Sequence, residues 1–423
     1  MRSPKSRVAV AALVSVALAA CASEEKASQH ANAGAAGNGL AAGNGGTSSV
    51  AGGAPNGAGT SGLATGGGAA TPGAGSGGAP MGGQGAGGTG STVGGASGQA
   101  GSAAGRGGGA GTPSAGSAGD ASNAGAANGT PVEEGVAFLP GVRQEHGVVG
   151  LKGEVYVLGG YTPDITSSVM AYDPAKDSWR DVADFPSPFN HPAAGVVSGV
   201  IYVGGFYAGT SLTGPATGDT YAYDPTSDQW TLRASLPDGT ARAGGCVAVL
   251  GTDMYVFGGG NSGDATDFAS VYDTAGDRWR ALPKLPETRE HCSAFVSQGK
   301  IYIAGGRTHT IPEFRPSTLE FDPDAQTYTE KTPIPTPRGG AAGAVLAGRL
   351  FLFGGEGADN PAGVFPDIQA YDAVTDSWES FPPMIVPRHG YGAVTVGDRI
   401  YLPGGATRQG GAASDVVTVF YFE

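Results

Sequence analysis

Met254-Tyr255-Val256-Phe257-Gly258-Gly259 is followed thirteen residues later by Tyr272-Asp273, and seven residues after that tyrosine stands Trp279. A short apolar run rich in β-branched and aromatic residues, closed by glycines, reads as a strand ending in a turn. The same arrangement recurs along the chain. Diglycines stand at Gly159-Gly160, Gly204-Gly205, Gly258-Gly259, Gly305-Gly306, Gly354-Gly355 and Gly404-Gly405, at spacings of 45, 54, 47, 49 and 50 residues. Each closes an apolar strand that carries an aromatic, such as Val155-Tyr156-Val157-Leu158 or Ile301-Tyr302-Ile303-Ala304. Aromatic–Asp pairs follow at Tyr172-Asp173, Tyr223-Asp224, Tyr272-Asp273, Phe321-Asp322 and Tyr371-Asp372. Seven residues after each of those aromatics come Trp179, Trp230, Trp279, Tyr328 and Trp378. The interval of seven never changes, whereas the segments after the diglycines vary in length.

A unit of this size cannot bury both faces of its own strands, so units must stack on one another. The pattern resembles the kelch repeat, and the resemblance covers essentially all of 131–423. It implies an all-β, six-bladed β-propeller with one four-stranded blade per repeat. Diglycine at a strand end permits φ > 0 and lets a neighbouring backbone come close. The sixth repeat supplies a third strand at Val416–Tyr421 and then ends at Glu423. Residues 135–139, Gly-Val-Ala-Phe-Leu, match the fourth-strand tails of other repeats, and are expected to close the last blade as its outer strand.

The rest of the chain has another character. Residues 1–20 carry Arg2, Lys5 and Arg7 before the apolar run Val8–Ala20, too short to span a bilayer and suited to a secretory leader. Leu18-Ala19-Ala20-Cys21 resembles the lipobox of bacterial lipoproteins. That resemblance implies lipidation of Cys21 and anchorage in the cell envelope, with the outer membrane or cell surface favoured. Residues 21–130 read as a disordered tether. Within 31–130 there are 37 Gly, no aromatic residue, and only Arg106 and Asp120 as charges. Such composition cannot offset the entropy of ordering. Segment 131–423 has 19 Lys+Arg against 34 Asp+Glu, a net −15. That excludes nucleic acid as the main partner and leaves the lipid anchor as the sole route to a membrane.

Candidate site residues follow from the repeat. Sixteen residues before five of the diglycines stand Arg143, Arg242, Arg289, Arg338 and Arg388, while the second repeat has Phe189-Asn190-His191 there. The resemblance puts this position at the start of the innermost strand. A ring of arginines at the channel mouth is then expected, either holding an anion or tying blades together. The segments after the diglycines carry Tyr161, Phe206, Tyr207, Arg307, His309, Phe314, Phe365 and Arg408. Aromatics beside polar groups suit a glycan, peptide or protein ligand, anionic ones included. His146, His191, His291 and His389 stand near inner-strand starts at differing offsets, so no metal set is assigned. No cofactor and a monomer are expected. Cys246 and Cys292 are expected as buried thiols, because inner strands of neighbouring blades usually exceed the roughly 7 Å Cα separation a disulfide tolerates. The expected function is an envelope-displayed binding module. The alternative is a sugar-acid enzyme of the mutarotase or epimerase type, for which no fixed catalytic set is found.

Overall fold

The computed structural model describes residues 129–423 apart from 211 and 309–312. The expected leader 1–20, Cys21, the expected tether as far as residue 128, and His309 lie outside the described residues. Those described contain strands and turns and no α-helix.

Six antiparallel sheets form the blades of a β-propeller. Blade 3 shows the plan. Its strands are Cys246–Leu250, Asp253–Phe257, Ala269–Asp273 and Arg278–Ala281, ordered from the axis outward. The two inner strands are mostly buried and apolar, while the outer one is largely exposed. The inner hairpin turns at Lys152-Gly153 and Gln298-Gly299 have φ > 0 at both residues, the conformation whose twist matches flanking strands.

The invariant interval of seven now has a cause. Tyr172 lies directly opposite Trp179 in the outer hairpin, as do Tyr223 and Trp230, Tyr272 and Trp279, Phe321 and Tyr328, and Tyr371 and Trp378. Any change in turn length would slide one ring off its partner. An Asp in the turn adds a latch between blades. Asp228 accepts hydrogen bonds from Tyr223 Oη at 2.7 Å and from the Ala183 amide of the preceding blade at 2.8 Å. Asp177, Asp277 and Asp376 repeat this with Tyr172, Tyr272 and Tyr371. Blade 4 has Phe321 and Gln326 in the corresponding places and dispenses with the latch.

An aromatic pair spans every blade interface. Tyr156 meets Tyr223, Tyr202 meets Tyr272, and Phe257 meets Phe321. Tyr302 meets Tyr371, Phe353 meets Phe420, and Tyr172 meets Tyr401. Large rings bury much apolar area at each joint, which offsets the cost of ordering a ring of otherwise separate sheets.

The propeller closes through its N-terminal strand, but four residues earlier than the sequence suggests. Pro131–Gly135, not 135–139, pairs with Val417–Phe422, from Pro131 opposite Phe422 to Gly135 opposite Thr418. Leu139 is instead the buried residue four places beyond the strand end, where Leu285 stands relative to Ala281. The cysteines also correct the expectation. Cys246 and Cys292 form a disulfide with Cα atoms 5.3 Å apart. Inner strands converge towards the axis, and these two residues sit where adjacent strands begin.

Deleting Pro131–Gly135 from the full chain should unpair the edge of Val417–Phe422. We expect a loss of several kcal/mol, about 5–15 °C in Tm for a domain of this size. An unchanged Tm by calorimetry would mean that the last blade closes another way.

Candidate functional site

Three consecutive residues at the entrance to each blade organise the axis. The first is the repeat arginine, or Phe189 in blade 2. Its carbonyl accepts from the second glycine of the preceding diglycine: Gly160 to Phe189 at 2.8 Å, Gly259 to Arg289 at 2.8 Å, Gly355 to Arg388 at 2.9 Å, and Gly405 to Arg143 at 2.8 Å. A Cβ at Gly258 or Gly354 would collide with those same carbonyls, so the diglycine is needed for the approach. The second residue bridges its own blade just past the diglycine, as Glu290 does to Arg307 and Gly339 to Glu356.

The third residue closes a ring. Glu145, His191, Gly244, His291, Gly340 and Gly390 all have left-handed backbones, with φ between 52° and 63°. Each N–H donates to the carbonyl of its counterpart in the preceding blade. His191 donates to Glu145 at 2.9 Å, Gly244 to His191 at 2.7 Å, and His291 to Gly244 at 3.0 Å. Gly340 donates to His291 at 3.1 Å, Gly390 to Gly340 at 2.9 Å, and Glu145 to Gly390 at 2.6 Å. Six hydrogen bonds thus form a closed circuit around the axis. Glycine satisfies this conformation freely, and three blades use it. The other three place Glu145, His191 and His291 there, at a conformational cost of about 1–2 kcal/mol each.

Those three side chains converge. Glu145 Oε2 lies 3.2 Å from His191 Nε2 and 3.4 Å from His291 Nε2. The imidazole rings stand edge to face with centroids 4.9 Å apart. A charged network continues outward: His291 Nδ1 is 3.5 Å from Glu290, Arg307 reaches Glu290 at 3.5 Å and Glu356 at 3.0 Å, and His389 approaches Glu356 at 3.8 Å. Next to the ring a cavity of about 160 Å³ is lined by residues at the starts of the inner strands, including His146, Tyr391 and the Cys246–Cys292 pair.

The electrostatics split the two central histidines. Burial pushes His191 down to about 4, against the pull of Glu145. Burial and Arg307 also oppose charge on His291, yet Glu290 and Glu145 carry it up to about 9. Burial alone would raise Glu145, but His191 and His291 hold its carboxyl well below the usual range. Glu290, likewise buried, is held at about 2 by His291 and Arg307. Burial lifts the Tyr207 hydroxyl to about 12. Of the two coupled imidazoles, His291 is the one whose carboxylate neighbours favour the proton.

The five arginines do not line a channel mouth. Arg242, Arg289, Arg338 and Arg388 are at most 1% exposed and Arg143 is 6% exposed. Their forks are turned into the blades. Arg388 donates to the carbonyls of Leu402, Gly404 and Val416 at 2.6–3.0 Å and to Thr418 Oγ1 at 2.7 Å. Arg143 and Arg289 grip the carbonyls of Gly159 and Gly305, and Arg242 that of Val256. Strands separating at the diglycine corner take the Gly159, Gly305 and Gly404 carbonyls out of the ladder, and the guanidinium fork supplies the donors. Phe189 fills the same place in blade 2. Phe206 also departs from expectation, packing in the core against Phe185 at 1% exposure.

Of the other candidates, His191, Tyr207 and Arg307 belong to the axial cluster, while Tyr161 bridges Gln144 beside it. Glu145, Glu290, His291 and Glu356 complete the cluster and escaped sequence reading as a set. The arginine anchors the alignment, and its replacement by Phe189 in blade 2 hid that His191 and His291 occupy equivalent positions.

Arg388→Met should take the donors from the buried Gly404 carbonyl and Thr418 Oγ1 and lower stability by about 3–5 kcal/mol in urea denaturation. Arg307→Gln, which keeps a donor beside Glu290 and Glu356 on the axial face, should cost under about 2 kcal/mol. Equal effects would contradict the separation of architectural from axial arginines.

Comparisons with known proteins follow the same lines. Residues 231–405 match the KLHDC2/KLHL20/DRC7 Kelch-repeats domain and residues 143–186 match the Kelch motif. Kelch-like protein terF of Aspergillus terreus is 32% identical over 294 residues, covering 66% of this chain and 64% of that protein. Alpha-scruin of Limulus polyphemus is 27% identical, covering 56% of this chain and 27% of its own length. The chain thus spans less than two thirds of these relatives. A solved structure titled "Structure of YjhT" superposes with a TM-score of 0.57 at 18% identity, covering 67% of this chain and 99% of that one. A likeness at that identity shows the fold.

Proposed function

We propose that this chain, which belongs to the kelch-repeat β-propeller family, is a binding module that presents the axial face of its propeller to a polar ligand at the cell envelope. One observation carries the reading. Chemistry is concentrated where the ring departs from glycine: Glu145, His191 and His291, with Glu290, Arg307 and Glu356 beside them. Left-handed backbone at non-glycine residues is a cost that a purely structural ring avoids, as three of its six members do. Donors and acceptors fixed on a rigid ring suit the end of a glycan or peptide, or a projecting loop of a protein. With the repeat arginines buried, selection for anions as a class loses its basis.

The envelope reading is supported by the leader and Cys21 in the sequence, and by the Cys246–Cys292 disulfide, which suits an oxidising compartment.

Glycan and peptide arrays probed with the full chain test the binding module. Arg307→Ala and Glu356→Gln should weaken a captured ligand by about tenfold or more. Lys152→Ala, on a hairpin at the opposite end of the inner strands, should leave it unchanged. Retention of binding in both axial variants would remove the axial site from the proposal. For the anchor, Cys21→Ser should move the protein from detergent phase to aqueous phase or leave it uncleaved. Unaltered partitioning of the mature protein would exclude lipidation there.

A further inference from the structure

We infer that Glu145, His191 and His291 form a binding site for a divalent transition-metal ion of the Zn2+ type on the propeller axis. The inference stands on geometry and does not depend on the binding-module reading.

The donor set is two imidazoles and one carboxylate, a combination that takes zinc with a fourth position left open. Bonds of about 2.0–2.2 Å in a tetrahedron put neighbouring donor atoms about 3.3–3.5 Å apart. Glu145 Oε2 lies 3.2 Å from His191 Nε2 and 3.4 Å from His291 Nε2, close to two edges of such a tetrahedron. Ligand atoms of all three residues fall within 4.8 Å of one another. Neither ring nitrogen of His291 makes a well-aligned hydrogen bond although its side chain is only 9% exposed.

The outer partners point the same way. Metal-bound histidines characteristically turn one nitrogen to the ion and hold the other against a carboxylate, carbonyl or amide. Both histidines here direct Nε2 inward. His191 Nδ1 meets Asn190 Oδ1 at 2.5 Å, and His291 Nδ1 faces Glu290 Oε1 at 3.5 Å. Asn190 is fully buried, and Glu290 is backed in turn by Arg307. Two residues from different blades therefore share the same ring position, nitrogen orientation and kind of support.

The ring explains why such a site is rigid enough to hold an ion. Each ligand's backbone is fixed by a hydrogen bond on either side. Gly390 leaves room for the carboxylate, since a Cβ there would strike Glu145 Oε1. A water or a ligand donor atom would complete the tetrahedron.

The test uses the full chain, stripped with a chelator and titrated with Zn2+. One equivalent should bind, and Tm should rise with Zn2+ concentration. Co2+ should give the intense visible absorption of a four-coordinate ion. His191→Gly, His291→Gly and Glu145→Gly adopt the residue the other three blades already use, so the fold should be kept. Each should lose Zn2+ affinity by at least about 100-fold while its Tm without metal stays equal or rises. His191→Asn and His291→Asn, which also tolerate a left-handed backbone, should behave alike. Asn190→Ala should weaken Zn2+ by about 10–100-fold. Absence of stoichiometric Zn2+ binding by the wild type would overturn the inference. So would wild-type affinity in folded His191→Gly or His291→Gly.

Discussion

The closed circuit of six backbone hydrogen bonds at the axis is the constraint on which this propeller depends. Every member must be left-handed, because only that backbone lets its N–H reach one neighbouring blade while its carbonyl serves the next. The circuit fixes where each innermost strand begins. It accounts for the disulfide, since the bond from His291 to Gly244 brings the following residues of blades 3 and 4 within reach of each other. It also fixes the diglycines, which must clear space for the carbonyl of the residue two places earlier.

Architecture and chemistry occupy neighbouring residues in this arrangement. At the first entrance position the arginine is drawn inward by unpaired carbonyls, and its charge is lost to the axial face. Two residues later the side chain points to the axis, and glycine is the relaxed choice. Replacement by Glu145, His191 and His291 strains the backbone and brings three functional groups onto one point. Rigidity of the ring is what makes that strain tolerable. A loop would relax the same residues into ordinary conformations and disperse them.

Much of the fold was legible because its determinants are local and repeated. Diglycine, the aromatic–Asp pair and the ring seven residues on each report one strand pairing or one turn. The closing strand was misplaced by its polarity. Pro131-Val-Glu-Glu-Gly is half exposed along its whole length, whereas the apolar run after it contains Leu139, which is buried as a plug rather than as a strand residue. The axial site was harder to see because its members are 46 and 100 residues apart, at 145, 191 and 291. Their equivalence depends on a register that blade 2 conceals by replacing arginine with Phe189. The arginines were found by repetition, but repetition cannot tell which way a side chain turns. That depended on carbonyls freed at the diglycine corners.

Amide hydrogen exchange of the six ring residues is the most direct test of this account. Glu145, His191, Gly244, His291, Gly340 and Gly390 should be among the slowest amides of the domain and should exchange together, with a free energy close to that of global unfolding. Fast exchange at Glu145, His191 and His291 beside slow exchange at the three glycines would contradict it. The axial side chains would then hang from a ring that is open where they are attached.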